Sequence, residues 1–201
     1  YGEGGLPRLP VSAISFTAEA AMLNLANKIT LARILMTPVV VILLYFEGPV
    51  TCLLAAAAFA LASLTDWADG YIARRDNLVT SMGKFLDPLA DKVLICSVLI
   101  MFVELEWMQA WVAIVMICRE LVVTGLRAMA IDEGIVLAAD KFGKAKTVMQ
   151  IAAIIPLMLH HPYGGVELWH IGEALMYVAL ALSLFSGANY CYGFYRTTAN
   201  K

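Results

Sequence analysis

The feature that most constrains this chain is a set of six apolar runs, read as candidate membrane-spanning helices, each closed by polar or turn-forming residues. A spanning helix needs about 20 mostly apolar residues, and its backbone polar groups must be satisfied within the helix because hydrocarbon offers them no partner. The runs cover residues 29–46, 51–64, 85–103, 108–129, 145–159 and 171–195. The first stops at Glu47-Gly48-Pro49 and the third at Glu104-Leu105-Glu106-Trp107, while the second continues into a polar stretch over 65–75. This pattern predicts an all-α integral membrane protein with six transmembrane helices. Composition agrees: 61% of the 201 residues are hydrophobic and 15% charged, against roughly 45–50% and about 25% in a soluble domain.

Charge placement predicts orientation, because Lys and Arg accumulate in cytoplasmic loops. The connections near 47–50, 104–107 and 160–170 hold no Lys or Arg. The other side holds Lys28, Arg33, Arg74, Arg75, Lys84, Lys92, Arg127, Lys141, Lys144, Lys146, Arg196 and Lys201, with Arg119 deeper in the fourth run. Both ends of the chain are therefore expected in the cytoplasm. Trp107, Trp111, Tyr163 and Trp169 cluster toward the opposite surface, as in an aromatic belt. A net charge of −2 gives no electrostatic footing to a nucleic-acid partner. Cys52, Cys96, Cys118 and Cys191 stand singly in apolar stretches and read as small hydrophobes.

Residues 1–21 do not resemble a secretory signal, since no basic region precedes a long apolar core. Met22 is expected as a natural start. The preceding segment is then either a non-native remnant or, over residues 11–21, an amphipathic helix lying on the membrane surface. The membrane domain would occupy residues 22–201.

Four carboxylates lie where hydropathy expects membrane-embedded helix ends: Asp66, Asp69, Asp87 and Asp91. Ionisable groups are costly there, which points to function. Spacings of three and four place each pair on one helical face. Four such charges in one space repel, and divalent cations relieve them. An all-oxygen set favours Mg²⁺ or Mn²⁺ over Ca²⁺, and the lack of nearby His or Cys argues against zinc. Gly70, Ala73 and Gly83 leave room beside these acids, and Arg74 offers a cation suited to phosphate. The competing reading is a set of solvated loop acids balanced by Arg74, Arg75, Lys84 and Lys92.

The ordered set D-x2-D-G-x2-A-R-x8-G-x3-D-x3-D is filled by Asp66, Asp69, Gly70, Ala73, Arg74, Gly83, Asp87 and Asp91, with every spacing kept. It resembles the signature of the CDP-alcohol phosphatidyltransferase family. The stretches NLANKITLAR over 24–33, ICRELVVTGLR over 117–127 and KFGKAKTVMQ over 141–150 are similar to its bacterial phosphatidylglycerophosphate-forming branch, although Ala26 stands where proline is common. The resemblance implies a six-helix enzyme of the bacterial cytoplasmic (inner) membrane, commonly homodimeric, with its active site near the cytoplasmic face and open to the bilayer. It also implies two metal ions held by Asp66, Asp69, Asp87 and Asp91, with Asp91 the general base as well. Asp66, Asp69, Gly70, Ala73, Arg74 and Gly83 would bind the CDP-lipid. The acceptor hydroxyl would attack the lipid-bearing phosphorus, and CMP would leave.

Arg119 and Arg127, two turns apart on one apolar run, and Lys144 and Lys146 at the start of the next form a basic set suited to an anionic acceptor. Thr30 and Arg33 could contact the acceptor or the diphosphate, or only orient the first helix. Arg119 could instead pair with Glu120 or a signature aspartate, and the three lysines could be a positive-inside cluster. Glycerol 3-phosphate and inositol phosphate would meet this set with a phosphate, and serine would not. The resemblance favours glycerol 3-phosphate over a phosphatidylinositol-phosphate synthase reading. An ion transporter is the alternative of a different class, distinguished by polar groups distributed through the membrane rather than collected at one surface. His160, His161, His170 and Glu167 read as polarity at the opposite interface rather than a metal site.

Overall fold

The computed structural model describes residues 25–76, 81–132 and 141–199, with side chains described for 31–65, 92–130, 143 and 145–198. Expectations for residues 1–21 lie outside the described residues. The described chain forms six α-helices: α1 Leu25–Tyr45, α2 Pro49–Asp76, α3 Ser81–Glu104, α4 Ala110–Asp132, α5 Lys141–Met158 and α6 Trp169–Ala199. Among the described residues there is no strand, and Tyr163 and Val166 form an isolated bridge in the α5–α6 connection. Each helix coincides with one of the six apolar runs, with ends close to those of the run except in α2, which continues through the polar stretch over 65–75 to Asp76. By length and composition one helix, over Trp169–Thr198, is apolar enough on its own to cross a membrane. Leu31–Tyr45, Pro49–Thr65 and Ala145–Met158 are shorter apolar segments.

Local chemistry sets the helix ends. Glu47 and Glu106 adopt positive φ of 47° and 59° just beyond α1 and α3, the left-handed conformation that commonly closes a helix. Inside α1, Pro38 cannot donate to the carbonyl of Ile34. One residue earlier, Thr37 turns its hydroxyl back to the Arg33 carbonyl at 3.3 Å.

The helices alternate in direction, and short connections bring residues 46–48, 105–109 and 159–168 to one end of the bundle. There His161 Nε2 meets the Glu47 carbonyl at 2.7 Å, and the Tyr163 hydroxyl donates to the Pro49 carbonyl. Trp107 stacks on His160 at 4.4 Å and 4° between planes, and His160 lies 5.3 Å from Trp169. The four aromatics expected near this surface are thus tied into one layer or flank it.

Beneath that layer lies the apolar core: Leu44 of α1, Phe59 of α2, Leu99 and Phe102 of α3, Met116 of α4, Ile154 and Leu157 of α5 and Met176 of α6. The closest helix packing is between α5 and α6, where a Cβ on Gly172 would lie 2.6 Å from the Leu157 nitrogen. Only a glycine allows those backbones to meet so closely. Outward faces are apolar too: Leu31, Leu35 and Ile42 of α1 are each more than half exposed. Apolar groups outside and polar ones inside suit a lipid surround.

Candidate functional site

Buried polar side chains come from the opposite half of the bundle: Arg33 and Thr37 of α1, Lys146 and Gln150 of α5, and Ser183 and Ser186 of α6. Beside Lys146 is Glu120 of α4, its side chain 15% exposed. One of its carboxylate oxygens, Oε1, accepts Arg119 Nη1 at 2.8 Å and also the ammonium of Lys146. Its other oxygen lies 3.6 Å from Lys92 Nζ of α3. One carboxylate therefore faces three cations from three helices, and the Lys146 side chain is only 4% exposed.

Arg119 is held along its whole length. Its Nε donates to the Ser183 carbonyl at 2.9 Å and its Nη2 to the Ser186 hydroxyl at 3.0 Å. Gly187 provides the space, since a Cβ there would sit 3.1 Å from Arg119 Cγ and 3.2 Å from Nε. Nearby, the side-chain amide of Gln150 and the hydroxyl of Ser183 are buried with no hydrogen-bond partner in the described structure. Groups of this kind are rare in folded proteins and mark places where an additional polar species is accommodated.

The structure brings together Arg119 and Lys146 of the expected basic set and separates Arg127 from them. Eight residues along a helix are two turns plus about 80°. Arg127 accordingly turns outward, exposed, with its guanidinium 5.8 Å above the Tyr190 ring. The pairing of Arg119 with Glu120, weighed against a ligand role, is present. Arg33 is buried on α1. Lys144 sits in the first turn of α5 and Thr30 in the second turn of α1, and their side chains lie outside the described residues.

The signature falls on two consecutive helices, Asp66, Asp69, Gly70, Ala73 and Arg74 on α2 and Gly83, Asp87 and Asp91 on α3. Their side chains also lie outside the described residues. Asp66 is ten residues from the end of α2 and Asp91 ten from the start of α3. Asp91 immediately precedes Lys92, whose ammonium reaches Glu120. Among the described residues no group of three His, Cys, Asp or Glu could hold a metal.

Sequence reasoning did not single out Glu120, Lys92, Gln150, Ser183, Ser186 or Gly187 as parts of a site. An acid inside an apolar run was the available signal for Glu120. A Ser-x-x-Ser-Gly stripe in the last helix was a weaker one. At the aromatic end the histidines are engaged separately, and His170 Nε2 lies 3.3 Å from Glu167. Burial, with His161 next to it, holds the His160 imidazole below its ordinary range, and Glu47 opposes this. Burial also raises the Tyr163 phenol, with a contribution from Cys52.

A model of the CDP-alcohol phosphatidyltransferase family matches residues 23–185. A Bacillus subtilis protein named CDP-diacylglycerol–glycerol-3-phosphate 3-phosphatidyltransferase is 43% identical over 181 residues, covering 84% of this chain and 94% of its own. Proteins of the same name from Rickettsia typhi and Salmonella choleraesuis are 37% and 36% identical, covering 84% and 83% of this chain and 96% and 92% of their own. The signature, the helical frame that carries it and a match over most of the chain lead to one conclusion: this protein belongs to the CDP-alcohol phosphatidyltransferase family.

Proposed function

We propose that the protein transfers the phosphatidyl group of CDP-diacylglycerol to glycerol 3-phosphate, giving phosphatidylglycerophosphate and CMP. The observation that carries this reading is the buried cation cluster of Lys92 on α3, Arg119 on α4 and Lys146 on α5, with Lys92 next in sequence to Asp91 of the signature. An acceptor bearing a phosphate suits that cluster, whose three cations share a single carboxylate and keep a net positive charge. The names of the relatives support the same substrates.

Asp66, Asp69, Asp87 and Asp91 are the proposed ligands of two divalent cations, and their all-oxygen donor set fits Mg²⁺ or Mn²⁺. Bound there, such ions would neutralise and polarise the diphosphate. Gly70, Ala73 and Gly83 leave the backbone open to the cytidine portion, and Arg74 pairs with phosphate. Asp91 accepts the proton of the acceptor hydroxyl as a new bond forms to the lipid-bearing phosphorus. The bond from that phosphorus to the bridging oxygen breaks, and CMP departs with the electron pair. Arg119 and Lys146 hold the acceptor's phosphate, with Lys144, Thr30 and Arg33 as further contacts to it. Arg127, exposed over Tyr190, meets the acceptor on its way in.

The same reading places residues 22–201 as a six-span domain in the bacterial inner membrane, active site toward the cytoplasm, working as a homodimer. It is supported by the six apolar helices and by connections free of Lys and Arg at the aromatic end. The test is direct. Purified protein supplied with CDP-diacylglycerol, labelled glycerol 3-phosphate and Mg²⁺ or Mn²⁺ should form labelled lipid and release CMP. Turnover with inositol phosphate in place of glycerol 3-phosphate would overturn the acceptor while leaving the reaction.

A further inference from the structure

Arg119 and Lys146 could have met an incoming phosphate directly, yet both are already bound to Glu120. A carboxylate that merely competed with the substrate would be an obstacle, so its placement needs a physical reason. Without it, three cations from α3, α4 and α5 would face one another in a largely buried space, where repulsion would drive them apart or strip a proton from a lysine. With it, Lys92, Arg119, Lys146 and Glu120 sum to a charge of +2 among the described side chains. A phosphate monoester at neutral pH carries close to −2. The cluster is thus matched in charge to a dianion, and it is held in place before the dianion arrives.

The hydrogen bonds point the same way. Glu120 spends Oε1 on Arg119 Nη1 and Lys146, while Nε and Nη2 of Arg119 are fixed by Ser183 and Ser186. The lysine ammoniums keep donors to spare, since each has three. Gln150, one turn from Lys146 on the same face of α5, and the Ser183 hydroxyl add buried polar groups with no partner in the described structure.

Resting on the proposed acceptor reading, we propose that Glu120 is a positioning residue that gathers Lys92, Arg119 and Lys146 into a preassembled +2 site for the acceptor's dianionic phosphate. It does not touch the reacting atoms and acts through the cations it holds.

The experiment is steady-state kinetics of the full chain in lipid nanodiscs, varying glycerol 3-phosphate and CDP-diacylglycerol separately. Glu120→Gln should raise KM for glycerol 3-phosphate about tenfold or more, while KM for CDP-diacylglycerol stays within about twofold. Glu120→Asp, which keeps the charge on a shorter arm, should raise the acceptor KM by less. In a Lys146→Gln background, Glu120→Gln should add much less than it does alone, because its main partner has gone. Equal rises in both KM values, or effects that simply multiply, would overturn the positioning role. Where Glu120→Gln does not accumulate as folded protein, the Glu120→Asp comparison of the two KM values decides alone. Absence of transfer to glycerol 3-phosphate by the unmodified protein is a separate outcome that overturns the activity and this inference together.

Discussion

The two halves of the bundle solve opposite problems. Toward the connections at 46–48, 105–109 and 159–168, the helices bury Leu44, Phe59, Leu99, Phe102 and Leu157 and are capped by stacked aromatics. Toward the other end they bury Arg33, Lys146, Gln150, Ser183 and Ser186 around Glu120. Apolar packing in the first half has no competitor and can be close to its optimum. The second half keeps charges out of water at a cost, which is characteristic of a region selected for binding rather than for stability. The contrast makes the aromatic half a clamp, and under the proposed function the charged half is the working part.

Variants can break that division, and Asp91→Asn should break it most. Removing a general base costs about 10²- to 10⁴-fold in rate. Turnover should collapse while CDP-lipid binding, measured by CMP-lipid competition, partly survives and the unfolding temperature changes little. Near-normal turnover would remove Asp91 from the base role.

Gly172→Ala acts on the other half. Its Cβ would press on the Leu157 nitrogen at 2.6 Å and the Ala153 carbonyl at 3.0 Å. Overpacking of this kind costs about 1–3 kcal/mol, so thermal unfolding should shift down while both KM values hold. Gly187→Ala tests the charged half with a smaller wedge, 3.1 Å from Arg119 Cγ. It should weaken glycerol 3-phosphate by about tenfold, equivalent to about 1.4 kcal/mol, with little change in unfolding temperature. If the two glycine variants exchanged phenotypes, the division of labour would be wrong.

The smallest effect concerns His160. Its imidazole is held below its ordinary value of 6.5 by burial and by His161. The unfolded chain therefore binds the proton more readily, and this contribution to stability is intact above 6.5 and lost as pH falls through the folded-state value. Unfolding temperature should decline on acidification below about pH 6.5, and His160→Asn should flatten that part of the profile. An unchanged profile would remove His160 as its source.

Much of this organisation is legible in the sequence because the helices coincide with long apolar runs. The run at 171–195 becomes α6 and the run at 85–103 becomes α3, each lengthened by a turn or so of residues that hydropathy alone does not count. The three connections without Lys or Arg are the ones that the structure gathers at one end of the bundle. The charge cluster was less accessible. Arg119 and Glu120 are adjacent, a spacing that ordinarily points two side chains in different directions. Only the meeting of α3, α4 and α5 turns that carboxylate toward Lys92 and Lys146. Arg127 shows the converse, since two turns along a helix do not restore the same face and the outward ring of Tyr190 claims it.

One latch at the aromatic end has a consequence for how this sequence can drift. His161 and Tyr163 reach across to the carbonyls of Glu47 and Pro49, that is, to main-chain atoms every residue possesses. Positions 47 and 49 can therefore exchange side chains without releasing the loop, whereas positions 161 and 163 must each retain a side chain with a suitably placed polar group. Substitution should be tolerated unevenly across this contact, freely on the acceptor strand of the latch and rarely on the donor side.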